Sequence, residues 1–397
     1  MLSGARYFAN GALDLETLLK HLRQIAADGN KHWQTLPPAA YHSPALFELE
    51  RSRVFKANWF CIGRADQVPE PGDYLAVEVV GEPVVLVRQH DRSLRVLSNV
   101  CRHRWMKVCG SAGHAATLVC PYHSWTYELD GHLKAAPEMR ETPGFNVDEV
   151  CLPAIRHTLW QGFVYINLDG RADPLGPQLE IIDERVAEFG LVDWRVAASV
   201  DCGEYPWDWK VMQDNGECYH HLGAHMETFE PNYPAREVTT TSADGWTMQV
   251  SPVRKGRCRK GLDGKEYAPG HFTPVAGLKD WQRTSFMLVY VLPNFFIYLQ
   301  ADMGMKLRVF PLEAGRIHLV ADILLPPHAF DEPGLESGLE AAISFFNRFN
   351  DEDEFINTRV QRGTASEFAK PAPLSHLEQH NRHVAWWTAA KLTSPER

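Results

Sequence analysis

Cys101-Arg102-His103 and, sixteen residues later, Cys120-Pro121-Tyr122-His123 constrain this 397-residue chain more than any other feature. Each segment offers one thiolate and one imidazole. Two such loops can hold a [2Fe–2S] cluster with both sulfurs on one iron and both histidines on the other, which raises the reduction potential above that of an all-cysteine cluster. Structural zinc is the competing use of two cysteines and two histidines, but zinc modules take a C-x2-4-C pair from one loop and an H-x3-5-H pair from another. The mixed C-x-H and C-x2-H order favours the iron–sulfur cluster and marks an electron-transfer protein at the least.

Loops of this kind need a folded scaffold. A hydrophobic content of 45% is ordinary for a globular chain, and 28 Gly with 26 Pro predict many turns. The formal charge of −10 leaves no basic stripe for a nucleic-acid backbone, so nucleic acid is not an expected partner. The longest apolar stretch, residues 286–299, is interrupted by Pro293-Asn294 and is too short to span a bilayer. Residues 1–6 lack a charged region followed by an apolar core, so the expected location is cytoplasmic, with no membrane partner. Cys61, Cys109, Cys151, Cys202, Cys218 and Cys258 show no disulfide spacing and read mostly as small buried hydrophobes. Cys109 lies between the two loops but is not expected to be a ligand.

Periodicity organises the rest. Residues 13–27 space their apolar side chains near 3.6 and predict an amphipathic helix, ended by Leu36-Pro37-Pro38, and a short helix is predicted over 43–55. Strands are predicted at 74–80 and 84–88 about Gly81-Glu82-Pro83, at 94–99, at 124–131 and at 162–168. Strands at 196–202, 247–252, 285–292, 295–300, 306–312 and 316–325 follow one another without intervening helices, which predicts an antiparallel sheet. A long helix over 339–361 would present Ile343, Phe346, Phe349, Phe355 and Val360 as its apolar positions. The expected class is α+β, divided into an N-terminal helical segment at 1–44 packing on the last domain, a β domain at 45–165, and that last domain at 166–397.

Metal-binding chemistry concentrates again at Asp214-Asn215-Gly216-Glu217-Cys218-Tyr219-His220-His221-Leu222-Gly223-Ala224-His225. Two of these histidines and one distant carboxylate would complete the 2-His-1-carboxylate set that binds non-haem Fe(II) with positions open for O2. Helical spacing alone pairs His221 with His225. The carboxylate is expected from Asn350-Asp351-Glu352-Asp353-Glu354, whose alternative reading is a solvated acidic helix face.

Together with Leu36-Pro37-Pro38, Ser124-Trp125-Thr126-Tyr127 and Val360-Gln361-Arg362-Gly363, these motifs make the chain resemble, over nearly its whole length, the catalytic α subunit of a Rieske non-haem iron ring-hydroxylating oxygenase. The resemblance implies a Rieske antiparallel β domain followed by a helix-grip, START-like catalytic domain. It implies Cys101, His103, Cys120 and His123 as cluster ligands. The family's acidic-x2-His-x4-His motif falls on Glu217, His220 and His225, replacing the helical pairing and leaving His221 as a neighbour. Its Glu-Asp pair before Gln-Arg-Gly falls on Glu352-Asp353, implying Asp353 as the third iron ligand, with Asp351 the fallback. It also implies a head-to-tail homotrimer, with or without a β subunit, in which Glu217 bridges His123 or His103 across the interface to an iron-ligating histidine. Electrons would come from NAD(P)H through a separate reductase, with or without a ferredoxin, because the chain has no G-x-G-x-x-G turn of its own.

Two positions depart from the family pattern. The residue after Cys-x-His-Arg is usually Gly and is here Trp105, where it bears on reductase docking or the subunit interface. The bridging acid is usually Asp and is here Glu217, as in the branch acting on carnitine and glycine betaine; the 12 tryptophans could furnish an aromatic cage for a methylated cation. The expected function is a terminal oxygenase that hydroxylates, dihydroxylates or oxidatively demethylates a small organic substrate. An aromatic compound is the general expectation and a quaternary ammonium compound the alternative. A Rieske electron carrier without oxygenase chemistry would not need residues 166–397 or their histidines, and a START-like binding module would leave four cluster ligands idle.

Overall fold

The computed structural model describes residues 14–217 and 223–394. The chain forms two compact units: Lys56–Leu175 is one, and the segment up to Phe55 joins the residues from Gly176 onward in the other. These boundaries fall about ten residues beyond the expected 45 and 165, for reasons visible in the contacts. Glu50 is fully buried in the larger unit, where Lys210 Nζ lies 2.6 Å from its Oε1 and Trp209 Nε1 donates to its Oε2 at 2.9 Å. At the other end, Asn167 Nδ2 and Asp169 N both donate to Lys56 O, at 2.9 and 3.1 Å, and Trp59 Nε1 donates to Asp173 O at 2.7 Å. The smaller unit therefore closes on itself beyond residue 165.

In the smaller unit, strands β1 (Phe60–Arg64), β2 (Asp73–Val79), β3 (Glu82–Arg88), β4 (Leu94–Ser98), β5 (Ala112–His114), β6 (Leu118–Val119), β7 (Thr126–Tyr127), β8 (Leu133–Ala135), β9 (Arg156–Trp160) and β10 (Phe163–Asn167) form three antiparallel sheets. Their orders are β1-β10-β9, β4-β3-β2-β5 and β6-β7-β8. The strand expected over 124–131 shortens to β7, because residues 120–125 are spent on a tight loop. Val85, Val87, Leu97, Leu118 and Tyr127 build a core that continues into Cys101 and Cys120, so both thiols end a hydrophobic interior.

The larger unit opens with α1 (Leu15–Asp28), whose first turn is capped where Thr17 N donates to Asp14 Oδ1 at 2.9 Å. Its buried Leu18, Leu22 and Ile25 recur at helical spacing. Next come α2 (Pro44–Glu50), α3 (Leu175–Val186), β11 (Arg195–Tyr205), α4 (Trp209–Asp214), β12 (Thr239–Ala243), β13 (Trp246–Pro252), β14 (Arg259–Lys260), β15 (Glu266–Tyr267), α5 (Asp280–Arg283), β16 (Ser285–Val291), β17 (Phe295–Leu299), β18 (Gly304–Glu313), β19 (Arg316–Leu325), α6 (Leu335–Thr364) and α7 (Gln379–Thr393). Seven strands make one antiparallel sheet of order β11-β19-β18-β17-β16-β13-β12. Helix α1 packs on α7. Helix α6 lies on the sheet, with Phe349 meeting Tyr298 of β17 edge to face at 5.7 Å.

This is the α+β, helix-on-antiparallel-sheet arrangement expected, with one correction on α6. Its buried stripe is Ala342, Phe346, Phe349, Asp353 and Asn357, spaced three or four apart, whereas Phe355 and Val360 are 59% and 45% exposed. The two aromatic and aliphatic residues expected to face inward thus sit off the stripe, and a carboxylate takes a place on it. Among the described residues no helix is long and apolar enough to cross a membrane.

Candidate metal centres

The two cysteine loops of the smaller unit are built alike. In the first, Cys101 N donates to Met106 O at 2.9 Å and Trp105 N to Cys101 O at 3.1 Å; in the second, Cys120 N donates to Trp125 O at 2.8 Å and Ser124 N to Cys120 O at 3.0 Å. Both turn at the fourth residue after the cysteine, where Trp105 has φ 60° and Ser124 φ 56°. That is left-handed backbone, which glycine adopts freely and a bulky side chain only under strain.

The repeated turn brings the four side chains singled out in the sequence into two pairs, thiol with thiol and imidazole with imidazole. The Cys120 thiol lies against that of Cys101, whose sulfur also meets Tyr127 OH at 3.2 Å. The rings of His103 and His123 meet edge to face at 4.7 Å, and Trp125 stacks on His103 at 4.7 Å and 4°. Burial pushes the Cys120 thiol above its ordinary range; burial, then the neighbouring His123 and Arg104, push the His103 imidazole below its own. Thiols reluctant to ionise become thiolates readily only beside a metal cation, and neutral imidazole is the form that binds one. His103 Nδ1 is buried and has no hydrogen-bond partner among the described residues, the condition of a donor atom awaiting a ligand. The donor set therefore fits a [2Fe–2S] cluster. Cys109 is different: Asn99 brackets its backbone with bonds of 2.9 and 2.8 Å, and burial pushes its thiol up to about 11, as befits a core residue.

The second centre lies in the larger unit. Helix α4 is capped where Lys210 N donates to Asp208 Oδ1 at 3.0 Å, and after Asp214 the chain turns through Asn215 and Gly216 to the buried Glu217. His220 and His221 lie outside the described residues. His225 is fully buried and held at both nitrogens by consecutive carboxylates of α6: Nδ1 is 2.6 Å from Glu352 Oε2, and Nε2 is 3.2 Å from Asp353 Oδ1. Thr228 Oγ1 donates to the same Glu352 oxygen at 2.5 Å, and Phe349 stacks on the imidazole at 4.6 Å and 11°. A carboxylate on Nδ1–H fixes the tautomer and leaves the Nε2 lone pair beside Asp353. Two donor atoms roughly 3 Å apart have the spacing of neighbouring ligands on one ion with bonds of about 2.1 Å. Asp351 is exposed.

Among the described residues no three such side chains converge on a single point. What converges is pairs: the two thiols and the imidazoles of His103 and His123 in one unit, and His225 with Asp353 in the other. Sequence reasoning missed the grip of Glu352 and Thr228 on His225, and the contacts of Tyr127 and Trp125 at the cysteine loops. The adjacency of Glu352 to Asp353 was the available signal, but its meaning depends on His225 folding onto α6.

A cavity of about 270 Å³ adjoins the second centre, with Phe229, Tyr233, Phe286, Tyr298, Gln300 and Phe345 among its walls. Its rings pack on one another, Phe229 with Tyr233 at 4.7 Å, Phe229 with Phe286 at 4.8 Å and Phe286 with Tyr298 at 5.5 Å. Phe229 lies 6.4 Å from the His225 ring, so the cavity wall and the centre are continuous. Among the described residues no tryptophan lines it; phenylalanine and tyrosine supply the aromatic faces.

Residues 58–147 match the Rieske [2Fe-2S] domain, and residues 191–394 match the ring hydroxylating alpha subunit (catalytic domain). The chain is 28% identical over 415 aligned residues to the glycine betaine monooxygenase oxygenase subunit of Chromohalobacter salexigens, covering 96% of this chain and 91% of that one. It is 33% identical over 233 residues to the carnitine monooxygenase oxygenase subunit of Acinetobacter pittii, covering 58% of this chain and 62% of that one. The fold is similar to that of the quaternary ammonium Rieske monooxygenase CntA, with a TM-score of 0.78 at 24% identity over 92% of this chain and 98% of that one, a likeness that speaks for fold alone. Since the catalytic-domain match spans more than half of the sequence and follows a matched Rieske domain, the chain belongs to the ring-hydroxylating alpha-subunit family and is the terminal oxygenase component of a Rieske non-haem iron system.

Proposed function

We propose that this oxygenase acts on a methylated ammonium compound, with Cys101, His103, Cys120 and His123 holding the [2Fe–2S] cluster and His220, His225 and Asp353 holding mononuclear Fe(II). The observation that carries the reading is His225, oriented by Glu352 at 2.6 Å and set with its other nitrogen 3.2 Å from Asp353, at the wall of an aromatic cavity. When bound, the cluster supplies single electrons and the ferrous iron supplies O2 activation.

The chain's own residues do the remainder. Glu352 accepts a hydrogen bond from Nδ1–H of His225 and so keeps the Nε2 lone pair available to a metal. The faces of Phe229, Tyr233, Phe286 and Tyr298 carry negative quadrupole charge that attracts an N-methyl cation, and their packing excludes water from it. Glu217, buried and one methylene longer than the usual aspartate, bridges the imidazoles of the two centres across a subunit interface. The bridge calls for a head-to-tail homotrimer. Exposed apolar side chains support one: Trp105 and Tyr122 on the cysteine loops, and Phe355, Val360 and Phe368 in the larger unit. NAD(P)H reaches the system through a separate reductase, with or without a ferredoxin.

The test is substrate-dependent O2 uptake by the reduced protein, with aldehyde release as the demethylation readout. Carnitine, glycine betaine and related methylated amines should stimulate uptake coupled to product. Coupled turnover of aromatic acids or ethers, with none from the amines, would overturn the substrate assignment while leaving the oxygenase class intact.

A further inference from the structure

The turn that delivers Glu217 is held by side chains far from it in sequence. Helix α4 ends at Asp214, and as the chain turns Gly216 N donates to Gln213 O at 3.0 Å, leaving the last carbonyls room for further donors. Three carbonyls in this stretch are taken up by side chains: Gln213 O by His380 Nε2 at 3.0 Å, Asp214 O by Asn381 Nδ2 at 2.6 Å, and Gly216 O by Tyr290 OH at 2.6 Å. His380 and Asn381 are consecutive on α7. The other ring nitrogen of His380 meets Thr247 Oγ1 on β13 at 2.6 Å, and its ring lies 4.2 Å from that of Tyr290 on β16. Helix α7 and the sheet thus reach the turn through one imidazole.

A carbonyl only accepts, so His380 Nε2 carries the proton and Thr247 Oγ1 donates to Nδ1 in the neutral ring. Burial favours that neutral form, holding the imidazole down at about 4. The chain passes close against this ring: a Cβ added at Gly216 would lie 2.9 Å from His380 Nε2 and 2.8 Å from Tyr290 OH. Glu217 is the next residue.

We infer that His380 is a positioning residue for Glu217: its imidazole, locked between Thr247 and Gln213, fixes the turn that aims the bridging carboxylate. The inference rests on the reading of Glu217 as the bridge. His380 touches no metal ligand in the described residues, and it acts through the backbone of residues 213–217.

The experiment compares His380→Phe, which keeps ring volume and the contact with Tyr290 but lacks both hydrogen bonds, with His380→Gln, whose amide can still donate to Gln213 O, and Thr247→Val, which releases Nδ1. Each purified protein is assayed for cluster spectrum, iron content, substrate dissociation constant, single-turnover reoxidation of the pre-reduced cluster, and amide hydrogen exchange of Gly216 and Glu217. His380→Phe should keep both metals and substrate affinity but slow reoxidation by roughly 10- to 100-fold, the range typical of lost orienting contacts, and exchange faster at Gly216 and Glu217. His380→Gln should recover most of the rate, and Thr247→Val should fall between. Glu217→Gln serves as the reference. If it is slow while His380→Phe reoxidises and exchanges like wild type, the inference fails alone. If Glu217→Gln itself is wild type, the bridge fails. Should His380→Phe lose iron or fold poorly, Thr247→Val decides: wild-type exchange and rate there would overturn the positioning role.

Discussion

The two centres of this chain are made in opposite ways. The cysteine loops take all four proposed ligands from 23 consecutive residues, and each loop closes on its own cysteine through the same pair of backbone hydrogen bonds. The second centre joins His225 to carboxylates about 130 residues away on α6, and it exists only once α6 has docked on the sheet. A locally closed site depends on its own turns; a site assembled from distant elements depends on the whole unit. The two centres should therefore fail independently, and the variants with the largest effects test that directly.

Cys101→Ser or His123→Ala should abolish the visible absorbance of the cluster. Both should also lower soluble yield, because metal binding contributes folding free energy to a unit whose core ends at the thiols. Iron remaining at the mononuclear site in whatever folds would support separate centres; retention of the cluster spectrum would sink the ligand assignment. Conversely, His225→Ala or Asp353→Ala should lose about one iron per chain with the Rieske spectrum intact. Asp351→Ala, on the exposed side of α6, should lose none. Metal analysis that depends on Asp351 and not on Asp353 would move the third ligand by two residues.

The same contrast explains what could be read from the sequence. Both cysteine loops were legible because spacing within a loop is spacing in space, and β16 to β19 were legible because long apolar strands are separated by short turns. Helix α7 was not. It buries His380, Asn381, His383 and Thr388 along with Val384, Trp387 and Leu392, so polar residues occupy interior positions and erase the 3.6-residue stripe. On α6 the error ran the other way: Asp353 is buried and Phe355 is not, since a buried carboxylate facing His225 replaces an apolar contact. Periodicity finds cores, and it misreads the places where a core has been given over to a site or to the hydrogen bonds behind one.

Helix α7 gives a smaller test of the same point. Burial pushes His380 and His383 down to about 4, while burial pushes Glu50 and Asp214 up to about 7. As pH falls from 6.5 to 4.5 the unfolded chain takes up protons that the buried imidazoles refuse, which destabilises the fold. The two carboxyls hold protons in the folded state that the unfolded chain lacks, which stabilises it. The contributions oppose each other, so the wild type should change little over this window. His383→Phe removes one refusing imidazole, and its stability relative to wild type should rise as pH falls, by up to about 1.4 kcal/mol per pH unit. Denaturant midpoints at pH 6.5 and 4.5 measure this. A gap that does not move with pH would mean that His383 titrates normally in the fold.

The smallest expected effect concerns the left-handed position of the twin loops, where their side chains differ in kind. Trp105 and Ser124 occupy the same left-handed position, but Trp105 is 81% exposed and places a large indole where the family pattern has glycine. Left-handed backbone costs a bulky residue on the order of 1–2 kcal/mol, and glycine gives back part of that gain through the extra freedom of the unfolded chain. Because little of the indole is buried within this chain, Trp105→Gly should raise the stability of the dilute protein by about 0.5–1 kcal/mol and leave the cluster spectrum unchanged. Ser124→Gly should do the same in the second loop. If the indole is covered by a neighbouring copy in the proposed trimer, Trp105→Gly alone should weaken association while stabilising the separated chain, so its denaturant midpoint would cross that of wild type as protein concentration rises. A Trp105→Gly protein that is less stable than wild type at every concentration would show that the indole supports its own loop, and the two loops would no longer count as equivalent.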